Sequence, residues 1–187
     1  MAIKIYIDQG HNPVNPNAGA EGNGLREQNL VYTIGQELAA LLRANSNFEV
    51  RVSRPTPDTQ LGNSKASSLS ARVNEANAWG ADYFISLHTN ASSSPNAGGT
   101  EAYVFSVPSA AASLAEDIVE GVSEYTGLRD RGVFARSGLY VLRKTQMPST
   151  LVELGFISNP EEAALMRDRP DLFARGIYEG ILEYTGV

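Results

Sequence analysis

The chain contains only two histidines, His11 and His88, and each stands at the end of a predicted strand. His11 follows the strand 3–8, and His88 is the last residue of the strand 82–88. A single histidine is more often packed or solvated than bound to a metal. In open α/β sheets, however, ligands bind outside the carboxyl ends of the strands, which is where both histidines are expected. Their shared position indicates a metal site at that edge.

Glu27 is a third candidate ligand. In the predicted helix 25–43 it shares an apolar stripe with Ile34 and Leu38, so it faces the sheet. One interpretation is a glutamate in the first helical turn, stabilised by the helix dipole. A buried carboxylate nevertheless needs a counter-charge or a metal, because burying an unpaired charge is costly. The helix follows the first strand and begins at the same edge as His11, so a metal would explain Glu27.

Glu153 lies near the end of the apolar strand 149–154. It is either a strand-end carboxylate bonded to loop amides or the general base for a metal-activated water. The chain has no cysteine, so a metal must be held by His and carboxylate. Two histidines and one carboxylate leave a fourth tetrahedral position open, as in catalytic zinc sites. We therefore predict one Zn²⁺ per chain, held by His11, Glu27 and His88, with Glu153 as a candidate for the base.

The elements that must position these residues alternate between strand and helix. Besides those already given, the pattern predicts further strands at 48–53, 100–106 and 138–143, and further helices at 69–79, 110–125, from 160 onwards and at 171–184. This alternation predicts an α/β fold in one domain, residues 1–187, with a mostly parallel sheet of about six strands. Helices should cover both faces of the sheet.

Composition and charge narrow the range of partners. The net charge is −6 and the basic residues are scattered, so we expect no nucleic-acid partner. No apolar run approaches the roughly 20 residues of a membrane span, so we expect no membrane insertion. After Met1 and Ala2 the chain enters a strand with no basic leader, which argues against a signal peptide. A protein acting outside the cell would then be a trimmed chain or would be released by another route.

Several short motifs occur together in one order along nearly the whole chain. They are Asp8-x-Gly10-His11, Glu27, Ser86-Leu87-His88-x-Asn90-Ala91, Arg131-Gly132-Val133 and Glu153-x-Gly155-Phe156-x-Ser158-Asn159. As a set they resemble the Amidase_3 family of N-acetylmuramoyl-L-alanine amidases. Two departures from the family pattern surround the first histidine: Gln9 replaces the usual proline, and Asn12-Pro13-Val14 replaces a glycine pair and an acidic residue. Neither departure removes a candidate ligand.

The resemblance implies zinc-dependent hydrolysis of the amide bond between N-acetylmuramic acid and L-alanine in peptidoglycan. It implies zinc held by His11, Glu27 and His88, with Glu153 catalytic, and action at the bacterial cell wall by a chain that we expect to be a monomer. Asn90 is a candidate for substrate binding, with a turn-forming role as the alternative. Arg131 is a second candidate, meeting a peptide or lactyl carboxyl group, or merely capping the preceding helix region.

Two other functions remain open on the sequence. One is a zinc peptidase or carboxypeptidase that acts within stem peptides. The other is a non-catalytic module that binds the wall or activates an amidase, which would be expected to lack a ligand or Glu153. The sequence does not distinguish an autolysin, a sporulation enzyme and a phage endolysin.

Overall fold

A six-stranded sheet forms the centre of the protein in the computed structural model, which describes residues 2–187. A separate two-stranded hairpin, β2 and β3, precedes the first helix. The strands, in chain order, are β1 Ile3–Gln9, β2 Glu21–Gly22, β3 Leu25–Arg26, β4 Phe48–Val52, β5 Tyr83–Asn90, β6 Thr100–Val104, β7 Asp130–Ala135 and β8 Ser149–Phe156.

The sheet has the strand order β4-β1-β5-β8-β6-β7. Neighbouring strands are parallel except for β6 and β8, which run antiparallel. The prediction of a mostly parallel sheet of about six strands is therefore confirmed. Because β1, β5 and β8 are adjacent and parallel, their carboxyl ends meet at one edge of the sheet.

Helices cover both faces of this sheet, as predicted. Within the described residues they are α1 Glu27–Ala44, α2 Lys65–Trp79, α3 Ala110–Thr126, α4 Tyr140–Lys144, α5 Pro160–Asp168 and α6 Pro170–Thr185. The strands are apolar on both sides: Ile5 and Ile7 face the core beneath α1, α3 and α6, whereas Tyr6 packs on the other face, with α2 and α4. None of the helices formed by residues 2–187 combines the length and apolar character of a membrane span.

One predicted strand is wrong and another strand was missed. The segment 138–143 was predicted as a strand, but residues Tyr140–Lys144 form the short helix α4. Its buried residues Val141 and Leu142 pack with α2 on the face of the sheet that carries Tyr6. A short apolar run does not by itself distinguish the two structures. The sixth strand is instead β7, an edge strand whose largely exposed residues lack apolar alternation.

Two helices begin at positions other than those predicted. Helix α1 begins at Glu27 rather than at residue 25, because the preceding residues pair with β2 around the turn Asn23-Gly24. Both turn residues have positive φ, 50° and 74°, which is the conformation that an Asn-Gly hairpin favours. Helix α2 begins at Lys65 rather than at residue 69, after Ser64, whose side chain accepts a hydrogen bond from the Ser67 amide.

Candidate metal centre

Three side chains converge at the carboxyl edge of β1 and β5. One carboxylate oxygen of Glu27, Oε1, lies 3.2 Å from His11 Nε2 and 3.1 Å from His88 Nδ1. The two imidazole rings are 4.7 Å apart and nearly perpendicular. Each residue offers one ligand atom, and all three atoms lie within 4.8 Å of one another. The structure thus brings together the three residues that the sequence predicted as ligands.

The spacing of these atoms suits a small tetrahedral cation. Zinc bonds His nitrogen and carboxylate oxygen at about 2.0–2.2 Å, which places neighbouring ligand atoms of a tetrahedron roughly 3.3 Å apart. The two separations from Glu27 Oε1, 3.1 and 3.2 Å, are close to that value. A set of two imidazoles and one carboxylate, without thiolate, is also the donor chemistry of catalytic zinc. The residues therefore fit the metal that the sequence predicts.

Backbone hydrogen bonds fix the buried carboxylate of Glu27. Oε1 accepts from the Thr89 amide at 2.9 Å, and Oε2 accepts from the Ala20 amide at 2.8 Å. Burial alone would raise the pKa of this carboxyl, but hydrogen bonds and charge from the two histidines hold the pKa well below its usual range. Glu27 is therefore ionised, as a metal ligand must be.

The site depends on two glycines, Gly10 of the first motif and Gly19, which lies outside the motifs. A Cβ atom on Gly10 would lie 2.6 Å from His88 Cε1, and one on Gly19 would lie 2.9 Å from His11 Cδ2. Either contact would displace a histidine ring. His11 itself has a φ of 66°, in the left-handed region, where histidine is among the more tolerant residues. His11 adopts this conformation just after β1, which ends at Gln9.

A buried ion pair stabilises the strand end beneath the histidines. Arg72 Nη1 lies 2.6 Å from Asp8 Oδ1, and both side chains are almost fully buried. Ser86 donates to the other Asp8 oxygen at 2.7 Å. Burial raises the pKa of Asp8, but the charge and hydrogen bonds of Arg72 outweigh it and lower the pKa overall. Arg72 Nη2 also donates to the carbonyl oxygen of His11. Arg72 thus also holds the backbone of a candidate ligand.

Glu153 lies beside His88 on the neighbouring strand, as its register partner in the parallel pair of β5 and β8. Its Oε2 is buried and accepts no hydrogen bond from residues 2–187. Burial raises the pKa of Glu153 to about 7, with the His88 charge opposing and the Glu27 and Glu101 charges adding to the increase. The carboxyl group can therefore both take up and release a proton near neutral pH.

Asn90 and Arg131, predicted to bind substrate, both contact a residue that the sequence analysis missed. Glu101 is buried on β6, directly opposite Glu153, and accepts a hydrogen bond from Asn90 Nδ2 at 3.0 Å. Arg131 Nε forms an ion pair with the other oxygen of Glu101, and the guanidinium lies over the ring of Phe156. The sequence did contain a sign of Glu101, because a glutamate inside a predicted strand is unusual when that strand belongs to a sheet covered on both faces.

A cleft of about 240 Å³ opens over His11, His88 and Glu153. The side chains of His11 and His88 are 20% and 19% exposed, so the metal position can be reached from solvent. Two neighbouring helices contribute to the lining of the cleft. Lys65 and Leu69 of α2 form one part, the α2 wall, and residues 139–141, at and before the start of α4, form another.

The fold and this site define an α/β protein with a candidate metal centre and an adjacent buried carboxyl group at the strand ends. Residues 5–183 match the family N-acetylmuramoyl-L-alanine amidase, Amidase_3. The chain belongs to this family of hydrolases, and the resemblance predicted from its motifs is confirmed.

Individual relatives agree with the family assignment. The chain is 36% identical over 185 residues to the N-acetylmuramoyl-L-alanine amidase CwlM of Bacillus licheniformis, covering 96% of this chain and 67% of that protein. It is 35% identical over 190 residues to the endolysin of Bacillus phage SPP1, covering 98% and 65%. The crystal structure of an N-acetylmuramoyl-L-alanine amidase from Clostridium difficile 630 superposes with a TM-score of 0.89 at 30% identity, covering 99% and 97%. The chain thus spans about two thirds of the length of the first two relatives.

Proposed function

We propose that this chain is a zinc-dependent hydrolase of the amide bond between N-acetylmuramic acid and L-alanine. The observation that carries the proposal is the convergence of His11 Nε2 and His88 Nδ1 on one oxygen of Glu27, 3.2 and 3.1 Å away. Glu153, with its pKa raised to about 7 by burial, lies next to this cluster. Membership of the amidase family supports the choice of bond.

His11, Glu27 and His88 would hold the zinc ion. When bound, zinc polarises the scissile carbonyl group and acidifies a water molecule. The chain supplies the rest of the geometry: the Thr89 and Ala20 amides orient Glu27, and Gly10 and Gly19 leave room for the imidazoles. These contacts fix the ligand atoms before substrate arrives.

Glu153 would carry the proton through the reaction. It takes a proton from the attacking water at its free Oε2, and passes that proton to the nitrogen of the departing L-alanine. Both transfers need a carboxyl group whose pKa lies near the working pH, and burial provides one. The product is an alanine with a free amine.

Asn90 and Arg131 do not line the cleft, but both contact Glu101, the partner of Glu153 across β6 and β8. Each has donor capacity beyond its bond to Glu101, so we propose that they contact the substrate while Glu101 holds their orientation. The substrate would be peptidoglycan, which places the action at the cell wall. Since one chain contributes every residue named, we propose that it works as a monomer.

Product analysis tests the proposal against its two rivals. Purified cell wall is digested, and the muropeptides are identified by mass spectrometry together with the newly formed amino termini. An amidase releases peptides that begin with L-alanine and leaves intact glycan strands. New termini within the stem peptide would instead show a peptidase. Binding of wall without any new terminus, in zinc-loaded protein, would show a non-catalytic module.

A further inference from the structure

The lining of the cleft includes one lysine side chain that forms no ion pair within the described residues. Among the lysines and arginines, only Lys65 and Arg72 line it, and Arg72 is committed to Asp8. Lys65 is exposed and forms no ion pair within residues 2–187. It lies on the α2 wall with Leu69, and it forms no hydrogen bond with the candidate metal ligands.

Helix stability does not account for Lys65. It is the first residue of α2, directly after the capping residue Ser64, and the first turn contains no acidic residue. The amino terminus of a helix carries a partial positive charge, so a lysine at this position is electrostatically unfavourable. Lys65 thus opposes the electrostatic preference of its own helix while it lines the cleft. An interaction with a ligand in the cleft explains its position better than helix stability does.

The chemistry of the substrate indicates which anion would meet this lysine. In N-acetylmuramoyl peptides the lactyl carboxyl group is already consumed in the amide bond, so free carboxylates belong to the acidic residues and the carboxyl terminus of the stem peptide. We propose that Lys65 binds a carboxylate of the stem peptide and so determines which stem peptides are preferred. The proposal rests on the proposed function, and it makes the α2 wall the peptide side of the cleft.

Two synthetic substrates test this assignment directly. Each is an N-acetylmuramoyl tripeptide beginning with L-alanine; the second residue carries a free carboxylate in one and the matching carboxamide in the other. KM and kcat are measured for the zinc-loaded protein and for Lys65→Gln, Lys65→Arg and Lys144→Gln. Lys144 is an exposed lysine that does not line the cleft, so its replacement changes the net charge equally without touching the site.

The unchanged protein and Lys144→Gln should show a KM about three- to fivefold lower for the carboxylate substrate, the effect expected of an exposed ion pair. Lys65→Gln should remove that preference without changing kcat, Lys65→Arg should keep it, and added salt should weaken it. An unchanged KM ratio in Lys65→Gln would overturn the role of Lys65 alone. Failure of the unchanged protein to cleave either substrate would overturn the amidase function and this assignment with it.

Discussion

Replacing Glu153 with glutamine should make the metal-free protein more stable at high pH, and it should abolish most of the activity of the zinc-loaded protein. The buried carboxyl group has a pKa of about 7, compared with its usual 4.5. A raised carboxyl pKa means that the folded state holds this proton more tightly than the unfolded chain does. The contribution of Glu153 to stability is therefore present below the unfolded pKa and is lost as pH rises through about 7.

The size of the effect follows from the displacement of the pKa. At about 1.4 kcal/mol per pKa unit, ionising Glu153 in the folded protein costs about 3 kcal/mol at pH 8 and less than about 1 kcal/mol at pH 5. Glutamine has a similar shape and no proton to lose. The stability difference between Glu153→Gln and the unchanged protein should therefore shift by roughly 2–3 kcal/mol in favour of the variant between these two pH values.

Urea unfolding of chelator-treated protein at pH 5 and pH 8 measures this shift. Taking the difference between the two pH values cancels any fixed cost of burying the amide group. The same variant, loaded with zinc, should retain about one ion per chain, because the other three residues supply the ligands. Its turnover should fall by about 10² to 10⁴, which corresponds to roughly 3–5 kcal/mol of transition-state stabilisation.

Three results would each refute one part of this reasoning. If the free energy of unfolding depends on pH in the same way in both proteins, burial does not raise the pKa of Glu153 in the folded state. Full turnover in Glu153→Gln would show that another group moves the proton. Loss of zinc from this variant would make Glu153 a ligand rather than the base.

Three further predictions concern the metal and its support. Chelation should abolish wall lysis and zinc should restore it, whereas His11→Ala or His88→Ala should lose both metal and activity; full activity in protein shown metal-free by elemental analysis would contradict this. Glu27→Gln should lower zinc affinity, with activity partly recovered at high zinc, and zinc titration measures the change; unaltered affinity would remove Glu27 from the ligand set. Arg72→Met should cost about 3–5 kcal/mol in thermal or urea unfolding, because it leaves the Asp8 charge buried without a partner, and adding Asp8→Asn should recover part of that loss.

The sequence located the candidate site because the fold class fixes where strand ends lie. His88 lies near the end of its strand, His11 follows its strand, and Glu27 interrupts an apolar helical stripe, so their convergence could be argued without coordinates. Their distances could not be predicted, since these depend on the left-handed backbone at His11 and on the close approach of Gly19. Both features arise from the path of the chain between β1 and α1. That segment has no hydrophobic periodicity from which its conformation could be predicted.

The errors in the fold have a different origin. The apolar run before Lys144 fits a strand or one helical turn equally well, and only its packing against α2 and β8 decides between them. Strand β7 is exposed along an edge and has no apolar signature. The antiparallel direction of β6, which sets Glu101 opposite Glu153, depends on pairing between distant segments and leaves no local trace in the sequence.

The left-handed backbone at His11 also restricts how this centre could be redesigned for other metals. Outside glycine, that conformation is tolerated best by Asn, Asp and His, and it excludes β-branched side chains. Aspartate is therefore the one anionic ligand among these three. Exchanging His11 for Asp would turn a site with two imidazoles into one with two carboxylates, a donor set better suited to harder cations such as manganese. The backbone at this single position thus sets which ligand exchanges are accessible by one substitution.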